Sequence, residues 1–332
     1  MSDKTSQSAE GVKVEGRLVP FPRSVSDRAR AALAAMVMAD GTPFPRPPAP
    51  AADDLASWAG LKAAMRARLE ASVAPRIATN TATAETVDMG GAVVHVCTPA
   101  ALESEDRAYL EIHGGGLVYG DGAFAVAMGR FDAQRYGVRA YSVDYRMPPE
   151  APYPAGLDDC IAAYRTLLKR YKPENIIVGG GSAGANLAAA LALRARDEGL
   201  PLPAALVLST PELDLTESGD SFEVNRTVDV VLGGSLMASN LLYAAGHDLA
   251  HPYLSPLFGD FSKGFPPTFL QAGTRDLFLS NAVRMHRALL KAKVPVELHI
   301  FEGMPHGGFG GAPEDMELEA ETVRFVREHW AA

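Results

Sequence analysis

The chain has 332 residues, with 31 basic and 40 acidic side chains and a net charge of −9, which argues against a nucleic-acid or anionic-membrane partner. Apolar residues make up 47% and charged residues 21%, enough to bury a core of enzyme size and inconsistent with wholesale disorder. No stretch approaches the ~20 apolar residues of a membrane span, and two cysteines, Cys97 and Cys160, are too few for a disulfide scaffold.

Residues 1 to about 22 read as a polar lead without order of its own, and Met1 to Gly11 lacks the basic-then-apolar layout of a secretion signal. A helix is expected over Ser24–Asp40, capped by Ser24 or Ser26 and stopped by Gly41. The proline-rich run from Thr42 to Pro50 cannot be helix interior. A second helix, Asp53–Ser72, places Leu55, Trp58, Leu61, Met65 and Leu69 on one face. Two such helices cannot bury a core alone and must lie on something larger. From Thr81 onward, apolar runs alternate with helical stretches. The runs are Ala92–Cys97, Ala108–Ile112, Arg139–Asp144, Asn175–Val178, Ala205–Ser209, Thr268–Ala272 and Val296–Phe301. The helical stretches are 155–171, 183–198, 280–293 and 314–330. This alternation predicts an α/β fold with a mostly parallel, doubly wound sheet. Between Pro211 and Pro266 no strong strand occurs, while Val230–Ala245 reads as helical, the mark of an insertion after the strand ending near Ser209.

Two patterns overlap on Gly179-Gly-Gly-Ser182-Ala-Gly184, between a strand and an Ala-rich helix. Gly180-x-Ser182-x-Gly184 is a nucleophile elbow, in which small neighbours let a serine sit on a sharp, strained turn at a helix N-terminus. Gly179-x-Gly181-x-x-Gly184 is the dinucleotide fingerprint of flavin and nicotinamide enzymes. That fingerprint expects an acidic residue ending the next strand about 20 positions on. Here Asp197 and Glu198 precede that strand, which ends in Ser209-Thr210-Pro211.

Other segments favour the serine. His113-Gly114-Gly115-Gly116 follows the strand Ala108–Ile112, and glycines there let backbone N–H groups converge on one point, as an oxyanion requires. A serine nucleophile needs a base and the base an orienting acid, in the chain order Ser, acid, His. Asp276 follows the strand Thr268–Ala272, and His306 follows Val296–Phe301. Both stand at carboxyl ends of strands, where open α/β sheets build their sites. Alone, Asp276 reads as a helix cap and His306 as a solvated turn residue; in this order the three make a triad.

With these motifs the sequence resembles the bacterial hormone-sensitive-lipase-like esterases (family IV) of the α/β-hydrolase fold, from about residue 80 to the C-terminus. Further segments carry the resemblance: Asp144-Tyr-Arg-Met-Pro-Pro-Glu150, Pro154 to Asp159, Glu212-Leu-Asp-Leu-Thr-Glu-Ser-Gly219, Tyr253-Leu-Ser-Pro256 and Met304-Pro-His306. The resemblance implies Ser182 as nucleophile, Asp276 as orienting acid and His306 as general base, with the N–H groups of Gly115, Gly116 and Ala183 as oxyanion donors. It also implies a helical cap made from residues 1–75 and an insertion at about 211–250, over a catalytic domain of residues 76–332. One position departs from the pattern: Gly181 stands where the family usually carries Asp or Thr, and glycine there can loosen the elbow.

The expected reaction is hydrolysis of short- to medium-chain esters through an acyl-enzyme, with no cofactor and no metal. Lactones, carbamates or amides share that chemistry. A flavin or nicotinamide oxidoreductase and a non-catalytic small-molecule receptor are the alternatives from other classes; plant hormone receptors similar to this family lack the histidine that is present here. The expected partner is the small-molecule ester, with no nucleic acid and no membrane, and the resemblance admits a homodimer. The expected location is the cytoplasm with reduced cysteines, a Cys97–Cys160 bridge being the alternative. His247-Asp-Leu-Ala-His251 is a poor metal motif because Gly246 and Pro252 break the helix it needs. His95, His286, His299 and His329 are expected at the surface or partly buried, and His113 in a structural role. Met36, Met38 and Trp58 are candidates to line an acyl pocket. Asp158 and Asp159 are expected simply to favour a helix N-terminus.

Overall fold

The computed structural model describes Gly16, residues 18–45 and residues 48–331. Most of the expected polar lead, with Arg46 and Pro47 of the proline run, lies outside the described residues. Among the described residues eight strands form one sheet in the order β1-β2-β4-β3-β5-β6-β7-β8. They are β1 (Thr83–Met89), β2 (Ala92–Thr98), β3 (Ala108–Ile112), β4 (Arg139–Val143), β5 (Ile176–Gly181), β6 (Ala205–Ser209), β7 (Thr268–Gly273) and β8 (Val296–Phe301). β2 pairs antiparallel with β1 and with β4, and every other pairing is parallel. The helices are α1 (Asp27–Ala34), α2 (Leu55–Ile77), α3 (Ala123–Tyr136), α4 (Ala155–Leu167), α5 (Ala183–Asp197), α6 (Ser221–Val224), α7 (Met237–Ala244), α8 (Leu279–Lys291) and α9 (Pro313–His329).

Side chains alternate across the central strands. Leu110, Val178, Leu206 and Leu270 face one core, shared with α4, α5 and α8. Tyr109, Ile177, Val207 and Phe269 face the other, closed by Tyr136 of α3 and by Phe325 and Trp330. Both cysteines are free and buried, so the Cys97–Cys160 bridge does not form.

Two local expectations are corrected. The helix expected over Ser24–Asp40 is only Asp27–Ala34, because Val37 bridges to Pro43 and Gly41, at φ 84°, turns the chain back. Ser26 is its cap, its hydroxyl accepting from the Ala29 amide. The helix read over Val230–Ala245 shortens to α7. Upstream, the Asp229 carboxyl takes the Val231 and Leu232 amides into a turn, and Gly233 and Gly234 follow at positive φ. Two elements had no strong sequence signal. β1 is a polar edge strand with most of its side chains exposed. α3 buries residues around much of its circumference and carries Gly129 mid-helix, where a Cβ would lie 2.8 Å from both Cys97 Sγ and Ser142 Cβ.

Candidate active site

Ser182 stands at the β5–α5 turn with φ 57° and ψ −123°, a positive φ that a non-glycine residue seldom adopts. The flanking glycines permit it. A Cβ at Gly180 would lie 2.4 Å, and one at Gly184 1.8 Å, from the Ile112 carbonyl oxygen. At Gly179 a Cβ would lie 1.9 Å from the Tyr109 hydroxyl. Two of the three glycines in the dinucleotide-like pattern, Gly179 and Gly184, are therefore closed on by the protein itself. Gly181 is different: its nearest neighbour for a Cβ is the Ser209 carbonyl oxygen at 3.9 Å, and its φ is not positive.

The glycine loop rests on this elbow. A Cβ at Gly114 would lie 2.8 Å from the Gly181 carbonyl oxygen, and one at Gly115 only 2.0 Å from that of Tyr119. Gly115 and Gly116 adopt φ of 132° and 58°. Among the described residues, the N–H groups of Gly115, Gly116 and Ala183 donate to no protein acceptor. His113 is buried, stacked on Tyr145 at 4.2 Å, with Nδ1 2.9 Å from the Gly114 carbonyl oxygen; burial lowers its pKa. It supports the loop and faces no triad member.

The structure brings Asp276 and His306 together with Ser182. His306 Nε2 lies 3.0 Å from Ser182 Oγ, and its Nδ1 lies 3.1 Å from Asp276 Oδ1. With Nδ1–H donated to the carboxylate, Nε2 is the acceptor for the serine hydroxyl. Asp276 Oδ1 also accepts the Phe278 amide at 2.9 Å. Burial lowers the His306 pKa, but the charge and hydrogen bond of Asp276, with Asp229 and Glu212 behind, outweigh it and hold the imidazole above its ordinary value.

The residues around this core had little signal of their own in the sequence. Asn225 donates to the Asp276 carbonyl at 2.8 Å, and Asp229 accepts the Leu277 amide at 2.8 Å. Ser221 Oγ donates to the Leu277 carbonyl at 2.7 Å and accepts the Ser280 amide at 2.9 Å. The first part of the 211–250 interval thus braces the Asp276 loop. On the other flank Asp144 accepts the Gly122 amide and is held by His95, which is buried rather than at the surface. Tyr145 donates to the His113 carbonyl at 3.0 Å. Asp159 does more than favour a helix N-terminus: it accepts the backbone amide and the guanidinium of Arg146. Asp158 pairs with Arg194. α7 ends at Ala244, so His247 and His251 do not share a helix.

Residues 109–309 match the family model of the alpha/beta hydrolase fold. An acetyl-hydrolase of Streptomyces hygroscopicus is 34% identical over 67% of this chain and 74% of its own length. The solved structure of an esterase, E25, superposes with a TM-score of 0.88 at 33% identity, covering 97% of this chain and all of its own. Another, an esterase from the bacterial hormone-sensitive lipase family, gives 0.79 at 29% identity, over 92% and 99%. The chain belongs to the hormone-sensitive-lipase-like esterases of the α/β-hydrolase family. In this hydrolase no helix among the described residues is long and apolar enough to cross a membrane.

Proposed function

We propose that this esterase works through an acyl-enzyme on Ser182, and that its substrates are esters of short to medium acyl chains. The observation that carries the mechanism is the continuous chain from Ser182 Oγ through His306 to Asp276, at 3.0 and 3.1 Å. The Oγ–carbon bond forms at the ester carbonyl as the hydroxyl proton passes to Nε2. Asp276 fixes the tautomer and offsets the charge of the imidazolium. The carbonyl oxygen, now an oxyanion, is received by the unbonded N–H groups of Gly115, Gly116 and Ala183. The imidazolium returns its proton to the leaving alcohol, and water repeats the sequence to release the acid.

The preference for short acyl groups draws on the acetyl-hydrolase relative and on the packing above the site. Trp58 of α2, Val118 beside the glycine loop and Leu242 of α7 form one buried apolar cluster, so two helices close over the loop. We read α2 and α7 as the cap, the N-terminal segment supplying one helix and the 211–250 interval the other. The deciding experiment is hydrolysis of p-nitrophenyl esters of increasing chain length by wild type and Ser182→Ala. The variant is expected to lose about five to six orders of magnitude in kcat, as nucleophile knockouts do. Retained turnover in a folded Ser182→Ala would overturn the assignment.

A further inference from the structure

We infer that Glu212 is a second carboxyl group set against the catalytic imidazole, positioned to help carry the imidazolium that forms when His306 takes the serine proton. The inference rests on the Ser182–His306–Asp276 reading. Three observations support it. Glu212 is only 1% exposed, and among the described residues neither of its carboxyl oxygens has a hydrogen-bond partner. Buried polar groups are ordinarily paired, so an unpaired carboxyl in an active-site wall calls for a reason. The backbone is also built to hold it there. The Glu212 amide donates to the Ser182 carbonyl at 3.2 Å, and its own carbonyl accepts from Asn186 at 2.8 Å. Two residues earlier Thr210 takes φ 43°, an outlying conformation for a β-branched residue, and its amide donates to Gln271. Finally, the sheet order separates the charges. The glycine loop follows β3 on one side of β5; Glu212, Asp276 and His306 follow β6, β7 and β8 on the other. Glu212 therefore leaves the sheet on the imidazole's side of the nucleophile, across β5 from the strand that carries the glycine loop.

The groups facing Glu212 are few. They are His306, Glu217 from its own loop, Tyr145 after β4, whose phenol burial keeps protonated, and the Asn240 amide of α7, which faces it without closing a hydrogen bond. Asp276 and Asp229 face His306 from its other neighbours. Burial pushes the Glu212 carboxyl up to about 8, and the charge of His306 works against that rise. Below that pH the group is uncharged. Above it, the carboxylate supplies a negative charge to the imidazolium at a site that water does not screen.

The test is Glu212→Gln, which matches the protonated form and cannot ionise. Its kcat/KM on p-nitrophenyl acetate is expected to match wild type below pH 8 and to fall by about tenfold above it, an effect on the scale of one partly buried charge near another. An equal loss at every pH would mean a packing role only and would overturn the inference. No loss at any pH, or a gain at alkaline pH, would overturn it too. Titration of Ser182 with a phosphonate ester counts the folded sites. If the Gln variant does not fold, Glu212→Met, which also cannot ionise, takes its place under the same comparison. Failure of the triad reading shows separately, as turnover by Ser182→Ala, whereas the pH comparison bears on Glu212.

Discussion

On the β3 side of Ser182 the site is made of glycines and bare backbone N–H groups; on the β6–β8 side it is made of carboxyl groups around an imidazole. The first flank is shaped by what side chains it lacks, since a Cβ at Gly115 or Gly184 would strike a carbonyl oxygen. The second depends on what side chains it holds, since Asn225, Asp229 and Ser221 fix the Asp276 loop through side-chain hydrogen bonds. A transition state with an oxyanion on one side and an imidazolium on the other fits this division, because each charge meets its opposite and neither faces its own kind.

The comparison can be broken at several points. Asp276→Asn sits on the polar flank and is expected to lower kcat by about four orders of magnitude, because it leaves the imidazole in the wrong tautomer. Steady-state kinetics on p-nitrophenyl acetate reads this, and a loss of tenfold or less would mean that Asp276 is not the orienting acid. Gly115→Ala tests the other flank, and its methyl would lie 2.0 Å from the Tyr119 carbonyl oxygen. Displacing one oxyanion donor is expected to cost about 10²- to 10³-fold in kcat with little change in KM. A variant with wild-type kcat would remove the glycine loop from the chemistry. Asn225→Ala removes the donor to the Asp276 carbonyl and is expected to cost about 1–3 kcal/mol in stability, read as a lower denaturation midpoint. The pH profile is a subtler probe. His306 must be neutral to accept the serine proton, and its carboxyl neighbours raise its pKa above the ordinary 6.5. The acid limb of kcat/KM is therefore expected to have its midpoint above 6.5, and a midpoint below it would mean that burial prevails. The smallest effect belongs to Gly181→Ala. A methyl there meets nothing closer than 3.9 Å, so activity is expected within about twofold of wild type, with stability raised by about 0.4–1 kcal/mol through the unfolded chain.

The positions to which we assign the chemistry were legible because their residue types and chain order are constrained together. A serine between glycines, a glycine run after a strand, and Asp and His after later strands left few readings. The sheet was legible where its strands are apolar on both faces and lost where β1 is a polar edge. α3 was lost because its burial follows contacts with the sheet on one side and α2 and α9 on the other, leaving no single apolar stripe to count. The bracing residues were hidden for another reason. Asn225, Asp229 and Ser221 act through single hydrogen bonds to the Asp276 and Leu277 backbone, across some 50 residues of chain, and nothing in their local sequence marks the partner. Glu212 and Asp144 lay inside recognisable segments, yet their placement depends on the order of the strands that carry them.

The cluster of Trp58, Val118 and Leu242 ties α2 and α7 directly to the glycine-loop segment proposed to hold the oxyanion. Heat need not melt the sheet to silence such an enzyme. A modest fraying of α2 or α7 withdraws the wall against which Val118 is held, and the glycine loop gains freedom it cannot use productively. Loss of activity on warming is then expected at a lower temperature than loss of the sheet, a difference that activity assays run beside a thermal melt would read.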